Sequence, residues 1–457
     1  MFVQTYTYGN VPIEIWEYPA TIFLLIVVWF LGVYIKKKRI AQRPEYAFFI
    51  WGLWAKIIGG FAFACIYVFY YGQGDTTSFY ECSMAFCKLL FRDASDFFTV
   101  LMGEGTQEMK SYFNTETGEP MMYMFGEGAT RFTMKLLIPF MLISGQSYFI
   151  TTFLIAIVTY GALWQLYLLF AGYFPAFRKQ LAVGILFMPS VLFWGSGILK
   201  DSFTLAATCY LIVITNNIIQ RKGSLILNVI GLVIFAYIII SIKAYVLLIL
   251  LPSSLVWFFY SKIKTISNVL IRYLIIPFIY IAILGGSYFG LKLFGESFGK
   301  FSINRALKTA AITQGDLKQE YYDGNSFDIG SFEPTAAGAL SKFPQATFAG
   351  LYRPVIIEAR NAVMIISGLE NLFILGLTIY ILLMSRWKAL FRFVSQHPII
   401  LYSLVFSILF AFMIGLTTSN FGALVRFKIP LIPLYMACLF IFWGRLQKKS
   451  TPFQKTI

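Results

Sequence analysis

The stretch "YPATIFLLIVVWFLGVYIKKKR", residues 18–39, decides the fold class. From Tyr18 to Ile35 no residue is charged, and the run then ends at Lys36-Lys37-Lys38-Arg39. An uncharged apolar run of that length crosses the roughly 30 Å hydrocarbon core of a bilayer as a helix. A basic cluster directly after it marks the cytoplasmic side.

The same reading extends along the chain. Ten further apolar runs follow the one at 18–35, at 47–71, 147–173, 180–199, 202–219, 225–242, 244–260, 269–293, 362–384, 398–416 and 429–443. The spacing predicts an all-α, polytopic membrane protein of eleven helices, with residues 1–457 forming one membrane domain. Composition agrees: 58% of residues are hydrophobic, 13% are charged, and the mean hydropathy is +0.73. A soluble core cannot hide that much apolar surface, so membrane lipids must solvate it.

Charge gives the orientation. Lys36–Arg39, Arg178-Lys179, Arg221-Lys222, Lys262 and Lys264, Arg386 and Lys388, and Arg445 with Lys448-Lys449 all follow odd-numbered spans. The N-terminus is therefore expected outside and the C-terminus in the cytoplasm. Of the 21 acidic residues only Glu45 falls on the cytoplasmic side, and Glu370 lies inside a span. The net charge of +16 is thus a topology signal, and nucleic acid is not an expected partner. No basic n-region or cleavage site precedes the first span, which reads as a retained anchor. The five cysteines have no metal or redox spacing, and the single His397 before Pro398 reads as structural.

Two long loops, 72–146 and 294–361, fall on the outer side, and long loops on a rigid scaffold carry function. In the first, Asp75 lies just past a span exit, with Glu81 on an amphipathic helix. Asp75 suits a general base for a lipid-borne substrate, or the cap of the helix starting near Thr76. The ten residues 134–143 are too short to cross and read as interfacial. In "PSVLFWGSGILKDSF", residues 189–203, the fourth run delivers Ser196, Lys200 and Asp201 to the outer interface. On a continuous helix Ser196 and Lys200 share a face. Lys200 reads as a phosphate ligand or a snorkelling lysine, and Asp201 as a helix cap. Lys243 sits between two runs with almost no loop around it. Arg353, and Arg426 near Asn420 and Gly422, arrive at the same depth, as a polyanion pocket requires. Glu370 is an intramembrane acid, either functional or paired with a cation such as Lys243 or Arg426. Asp75 and Glu81 are compatible with a divalent cation, although no spacing demands one.

The pieces "GDTTSFY", "FMPSVLFWGSGILKDSF", "IKAYV", "LYRPVIIEARNAVMIISGLENL" and "SNFGALVRFKIPLIPLY", between about residues 70 and 440, together resemble the GT-C glycosyltransferases of bacteria. The resemblance implies a polyprenyl-phosphate-linked sugar as donor and a glycan, lipid or protein as acceptor, at the outer face of the cytoplasmic membrane during cell-surface glycan assembly. It carries the catalytic carboxylate onto Asp75, and leaves Glu81, Lys200, Asp201, Lys243, Arg353, Glu370 and Arg426 to bind substrate. The chain departs from the family pattern in placing its first large loop after the second span and in lacking a paired acidic motif, since Thr76 follows Asp75. A polymerase or ligase of lipid-linked oligosaccharides would show similar features. A transporter or flippase would be expected to show repeated halves, and no repeat is visible.

Overall fold

The computed structural model describes Thr5–Tyr8, residues 11–263 and residues 325–450, with four single positions between the last two stretches. The chain opens with an antiparallel hairpin, β1 (Thr5–Tyr8) and β2 (Val11–Glu14), in which Tyr8 pairs with Val11 and Thr5 with Glu14. Helices follow in order: α1 (Glu17–Ile40), α2 (Phe49–Cys65, continued by a wider π turn over Ile66–Tyr70), α3 (Asp75–Arg92), α4 (Ala94–Met102), α5 (Gln107–Lys110), α6 (Met122–Gly126), α7 (Gly128–Ile143) and α8 (Tyr148–Tyr173). Next come α9 (Arg178–Leu186), α10 (Pro189–Trp194), α11 (Lys200–Ile219) and α12 (Leu225–Ile263). After the undescribed stretch the chain continues as α13 (Ala336–Ser341), α14 (Phe343–Tyr352), α15 (Ala362–Met384), α16 (Trp387–Gln396), α17 (Pro398–Thr417), α18 (Phe421–Phe427) and α19 (Ile432–Ser450).

Among the described residues, seven stretches are long and apolar enough to cross a membrane: Glu17–Ile40, Pro44–Tyr70, Tyr148–Tyr173, Lys200–Ile219, Leu225–Phe259, Ala362–Met384 and Pro398–Thr417. An eighth is the broken pair Phe421–Phe427 and Ile432–Gln447, bent by 68°, where Pro430 and Pro433 interrupt the backbone ladder. The protein is an all-α, multi-pass membrane protein with one small hairpin.

Two expected runs, 180–199 and 429–443, take a different form. The run 180–199 is two short helices, α9 and α10, with Phe187 and Met188 outside both. Pro189 is the physical reason: it lacks an N–H, clashes with the carbonyl four residues back, and pushes Met188 out of the helical region. The runs 225–242 and 244–260 are two helices that meet at a kink at Lys243 (φ −145°, ψ 73°), together the 39-residue stretch α12. The run 429–443 is part of the bent pair. The run 269–293 lies outside the described residues.

The chain divides into two compact units. Unit 1 comprises Met1–Gly172, Val191–Leu211 and Val233–Ala244. The first long loop, 72–146, forms α3 to α7 here, around an apolar core that continues into Ala64, Val68, Tyr148 and Ile198. α3 buries Phe79, Cys82, Phe86 and Leu89 at helical spacing. They meet Met134, Leu137 and Met141 of α7, with Phe113 and Phe125 closing the layer. α1 instead shows its apolar side outward, with Phe23 68% and Phe30 67% exposed, the pattern of a helix solvated by lipid.

Unit 2 comprises Tyr173–Ser190, Ile212–Leu232 and Tyr245–Ile457. Its closest packing is between α14 and α17. A Cβ on Gly350 would collide with the Ala411 carbonyl, and one on Gly415 with the Ala346 carbonyl. Small residues let membrane helices approach backbone to backbone, where van der Waals contact replaces the missing hydrophobic drive.

Candidate functional site

In unit 1 the site grows from the end of α2. Gly72 (φ 74°) and Gly74 (φ 157°) turn the chain into α3, and a Cβ at Gly74 would press on the Tyr67 ring at 2.6 Å. Thr77 closes the helix start: its hydroxyl accepts from Gly74 N–H at 3.0 Å and donates to the Gly74 carbonyl at 2.9 Å. Asp75 is therefore the first residue of α3 and not its cap: Gly74 is the N-cap, and Thr77 reaches back to it from the first turn. Its side chain is exposed at a helix N-terminus, where the macrodipole favours a carboxylate. Glu81, two turns on, is half-buried.

Phe79 lies one turn after Asp75 and shares its face. Lys200 sits over the Phe79 ring, with Nζ 5.8 Å from the centroid. The ammonium donates to Thr130 Oγ1 at 3.1 Å and reaches Glu127 Oε2 at 3.4 Å. Thr130 also donates to the Glu127 carboxylate. The lysine and glutamate side chains are 29% and 52% exposed, so this bridge is solvent-screened and worth little by itself.

The approach to Lys200 differs from a continuous helix. Residues 195–199 form bends, so Ser196 and Lys200 do not share a helical face; Ser196 Oγ donates back to the Leu192 carbonyl. Lys56 of α2, fully buried, anchors this bend. Its Nζ donates to the carbonyls of Val191 at 2.9 Å and Gly195 at 2.6 Å. Thr159 adds a bond to the Gly195 carbonyl at 3.3 Å. Gly195 has no room for a Cβ, which would lie 2.9 Å from the Lys56 ammonium.

Asp201 is not a cap either. It lies inside the first turn of α11 and forms a buried ion pair with Lys243. Lys243, the one non-helical residue of α12, thereby gains the partner that a buried charge requires.

In unit 2, Arg353 is bonded through Nε and Nη2 to Glu358. It also stacks on Phe327 at 5.1 Å and Phe421 at 5.6 Å. Glu358 Oε2 further accepts from Val355 N–H at 2.9 Å. The guanidinium is thus engaged on its polar edge by Glu358 and against two rings. Glu370, in α15, accepts from Ser190 N–H at 2.7 Å and Ser190 Oγ at 2.6 Å. Lys428 acts on Glu370 electrostatically. It also donates to the Asn371 side chain and, at 3.2 Å, to the Arg353 carbonyl. Arg426 is half-buried in the last turn of α18.

Of the expected site residues, Asp75, Glu81, Lys200, Asp201 and Lys243 belong to unit 1, and Arg353, Glu370 and Arg426 to unit 2. Among the described residues no group of three or more His, Cys, Asp or Glu side chains is arranged to hold a metal ion. Cys82 and Cys87 are free, buried thiols, and burial pushes them up to about 11 and about 12.

The neighbours of Lys200, namely Glu127, Thr130 and Phe79, come from remote positions and leave no local sequence signal. Lys56 does leave one, as the lone charge in "FIWGLWAKIIGGFAF", but counting charges at span ends passes over it.

Compared with protein-family models, with curated proteins and with solved structures, the chain matches none.

Proposed function

We propose that the protein is a membrane glycosyltransferase of GT-C type. In this reading it transfers a sugar from a polyprenyl-phosphate-linked donor to a glycan, lipid or protein acceptor at the outer face of the bacterial cytoplasmic membrane. In this reading the placement of the basic residues puts the N-terminus outside, the C-terminus inside, and the loops 72–146 and 294–361 on the outer face. The observation that carries the reading lies in unit 1: Asp75 is an exposed carboxylate at the start of α3, and Lys200 sits over the ring of Phe79, one turn further along that helix.

Asp75 takes the proton of the acceptor hydroxyl as that oxygen attacks the anomeric carbon. The bond from the anomeric carbon to the phosphate oxygen breaks, and the negative charge stays on the departing polyprenyl phosphate. Lys200 neutralises that charge. Its bond to Glu127 is long and solvent-screened, so a phosphate oxygen displaces the glutamate at small cost. Arg353, held by Glu358, supports the fold and not the leaving group in this scheme.

The test is sugar transfer in membrane vesicles supplied with polyprenyl-phosphate-linked sugars. Asp75→Asn is expected to lower transfer by about 10²- to 10⁴-fold, the range for loss of a positioned base. Lys200→Met should lower turnover as well, with both variants inserted at wild-type levels. Normal transfer by Asp75→Asn removes the proposed base and the reading with it.

A further inference from the structure

Helix α16 connects two membrane-spanning helices, following Met384 and preceding Pro398, so it lies at a membrane face. Its residues sort into three stripes. Leu390 and Phe393 turn inward onto unit 2. Trp387 and Phe391, four apart, are 63% and 65% exposed. Lys388 and Arg392, also four apart, are exposed on the remaining side. Leu383 and Met384, at the end of the preceding span, extend the exposed apolar band. Such a helix lies flat, its aromatic stripe in the acyl boundary and its basic stripe among headgroups.

Beside it is a cleft lined by Ser385, Arg386, Leu390, Phe393, Phe442 and Arg445. The cleft holds about 30 Å³, space for about two waters and so for the two free oxygens of a phosphodiester. Arg445 lies flat on the Phe393 ring, its guanidinium carbon 3.7 Å from the centroid. Stacking occupies the face of the guanidinium and leaves its N–H edge available. Among the described residues no carboxylate pairs with Arg386 or Arg445. Two arginines and Ser385 therefore line a phosphate-sized space next to an apolar surface. A soluble phosphate would use the arginines but not the aromatic band, whereas a lipid uses both.

We propose that this cleft binds the phosphate of an anionic phospholipid headgroup and so fastens α16 to the membrane face. The site is independent of the transfer reaction argued above.

The test follows the thermal midpoint of the purified protein in detergent by tryptophan fluorescence. Three probes are titrated: dioctanoyl phosphatidylglycerol, dioctanoyl phosphatidylcholine and inorganic phosphate. Phosphatidylglycerol alone is expected to give a saturable rise. Arg386→Gln, at an exposed position, should weaken its apparent affinity about tenfold, the size of one lost charge-assisted bond. Arg386→Gln/Arg445→Gln should abolish the response. Lys388→Gln/Arg392→Gln, outside the cleft, should stay within about twofold of wild type. Where Arg445→Gln fails to fold for want of its stack on Phe393, Arg386→Gln alone decides. The proposal is overturned if phosphatidylcholine or inorganic phosphate acts as well as phosphatidylglycerol, if Arg386→Gln binds normally, or if Lys388→Gln/Arg392→Gln loses as much as Arg386→Gln.

Discussion

The buried acid in unit 2 offers the sharpest quantitative test. Glu370 accepts two bonds from Ser190, one to each carboxylate oxygen, and Lys428 supplies the nearby positive charge. In Glu370→Gln one of those oxygens becomes an NH₂ group facing a donor. One charge-assisted bond is lost, about 1.5–3 kcal/mol, and Lys428 keeps an uncompensated charge, which brings the total to about 3–5 kcal/mol. Lys428→Met strips Asn371 and the Arg353 carbonyl of their donor and leaves Glu370 as the uncompensated charge, again about 3–5 kcal/mol. The double variant contains neither charge. It should be destabilised by well under the sum of the two, with a coupling energy of about 2–3 kcal/mol. The assay is reversible unfolding in mixed micelles with increasing SDS, run on wild type, both single variants and the double variant. Additivity to within about 0.5 kcal/mol would show that the two side chains act independently and would refute the pairing.

Two further outcomes follow from unit 1. Lys56→Met deprives the Val191 carbonyl of a donor, while Thr159 still serves Gly195. It is expected to destabilise by about 1–3 kcal/mol and to speed amide exchange at residues 195–199; unchanged exchange there would show that the ammonium does not hold the bend. Burial raises the Cys82 and Cys87 thiols from an ordinary 9.0 to about 11 and about 12, so the folded state keeps protons that the unfolded chain releases. Their contribution to stability is complete below about pH 9 and is lost as pH rises toward 11 and 12. At pH 8 maleimide should label both only after unfolding, and prompt labelling of the native protein would contradict the burial.

The sequence made the membrane class legible because hydropathy acts over whole segments, and the runs at 18–35, 147–173 and 362–384 each fold as one helix. It also marked the α2-to-α3 exit, where Gly72 and Gly74 precede Asp75. The hairpin was legible in principle, since "TYTYGNVPIE" alternates around a Gly-Asn pair, the residue type of a two-residue turn. Side-chain partnerships were not legible. By sequence Asp75 could cap a helix starting near Thr76, and only geometry shows that the helix starts at Asp75, with Thr77 reaching back to Gly74. The pairing of Arg353 with Glu358 was open to local reading, because the two are five apart around a proline, but the Phe327 and Phe421 rings that complete its setting come from distant positions.

A common cause links four of the buried charges, Lys56, Lys243, Glu370 and Lys428. Lipid offers no hydrogen bonds, so wherever a helix breaks, the freed N–H or C=O groups need a polar partner from the protein. Lys56 serves the carbonyls of Val191 and Gly195, where helix gives way to the bends that precede Lys200. Glu370 serves the N–H of Ser190, just after Pro189 opens a new helix. Lys243 occupies the single non-helical position of α12 and meets Asp201. Lys428 sits at the bend between α18 and α19 and donates to the Arg353 carbonyl, at the end of α14. A charge inside an apolar run therefore need not be catalytic to be necessary. By the same physics Lys200 stands apart: its bonds go to a half-exposed glutamate and a threonine hydroxyl, and no broken backbone depends on its ammonium. That leaves Lys200 able to exchange its partners for a phosphate, whereas moving any of the other four would expose a backbone or a charge that the membrane cannot solvate.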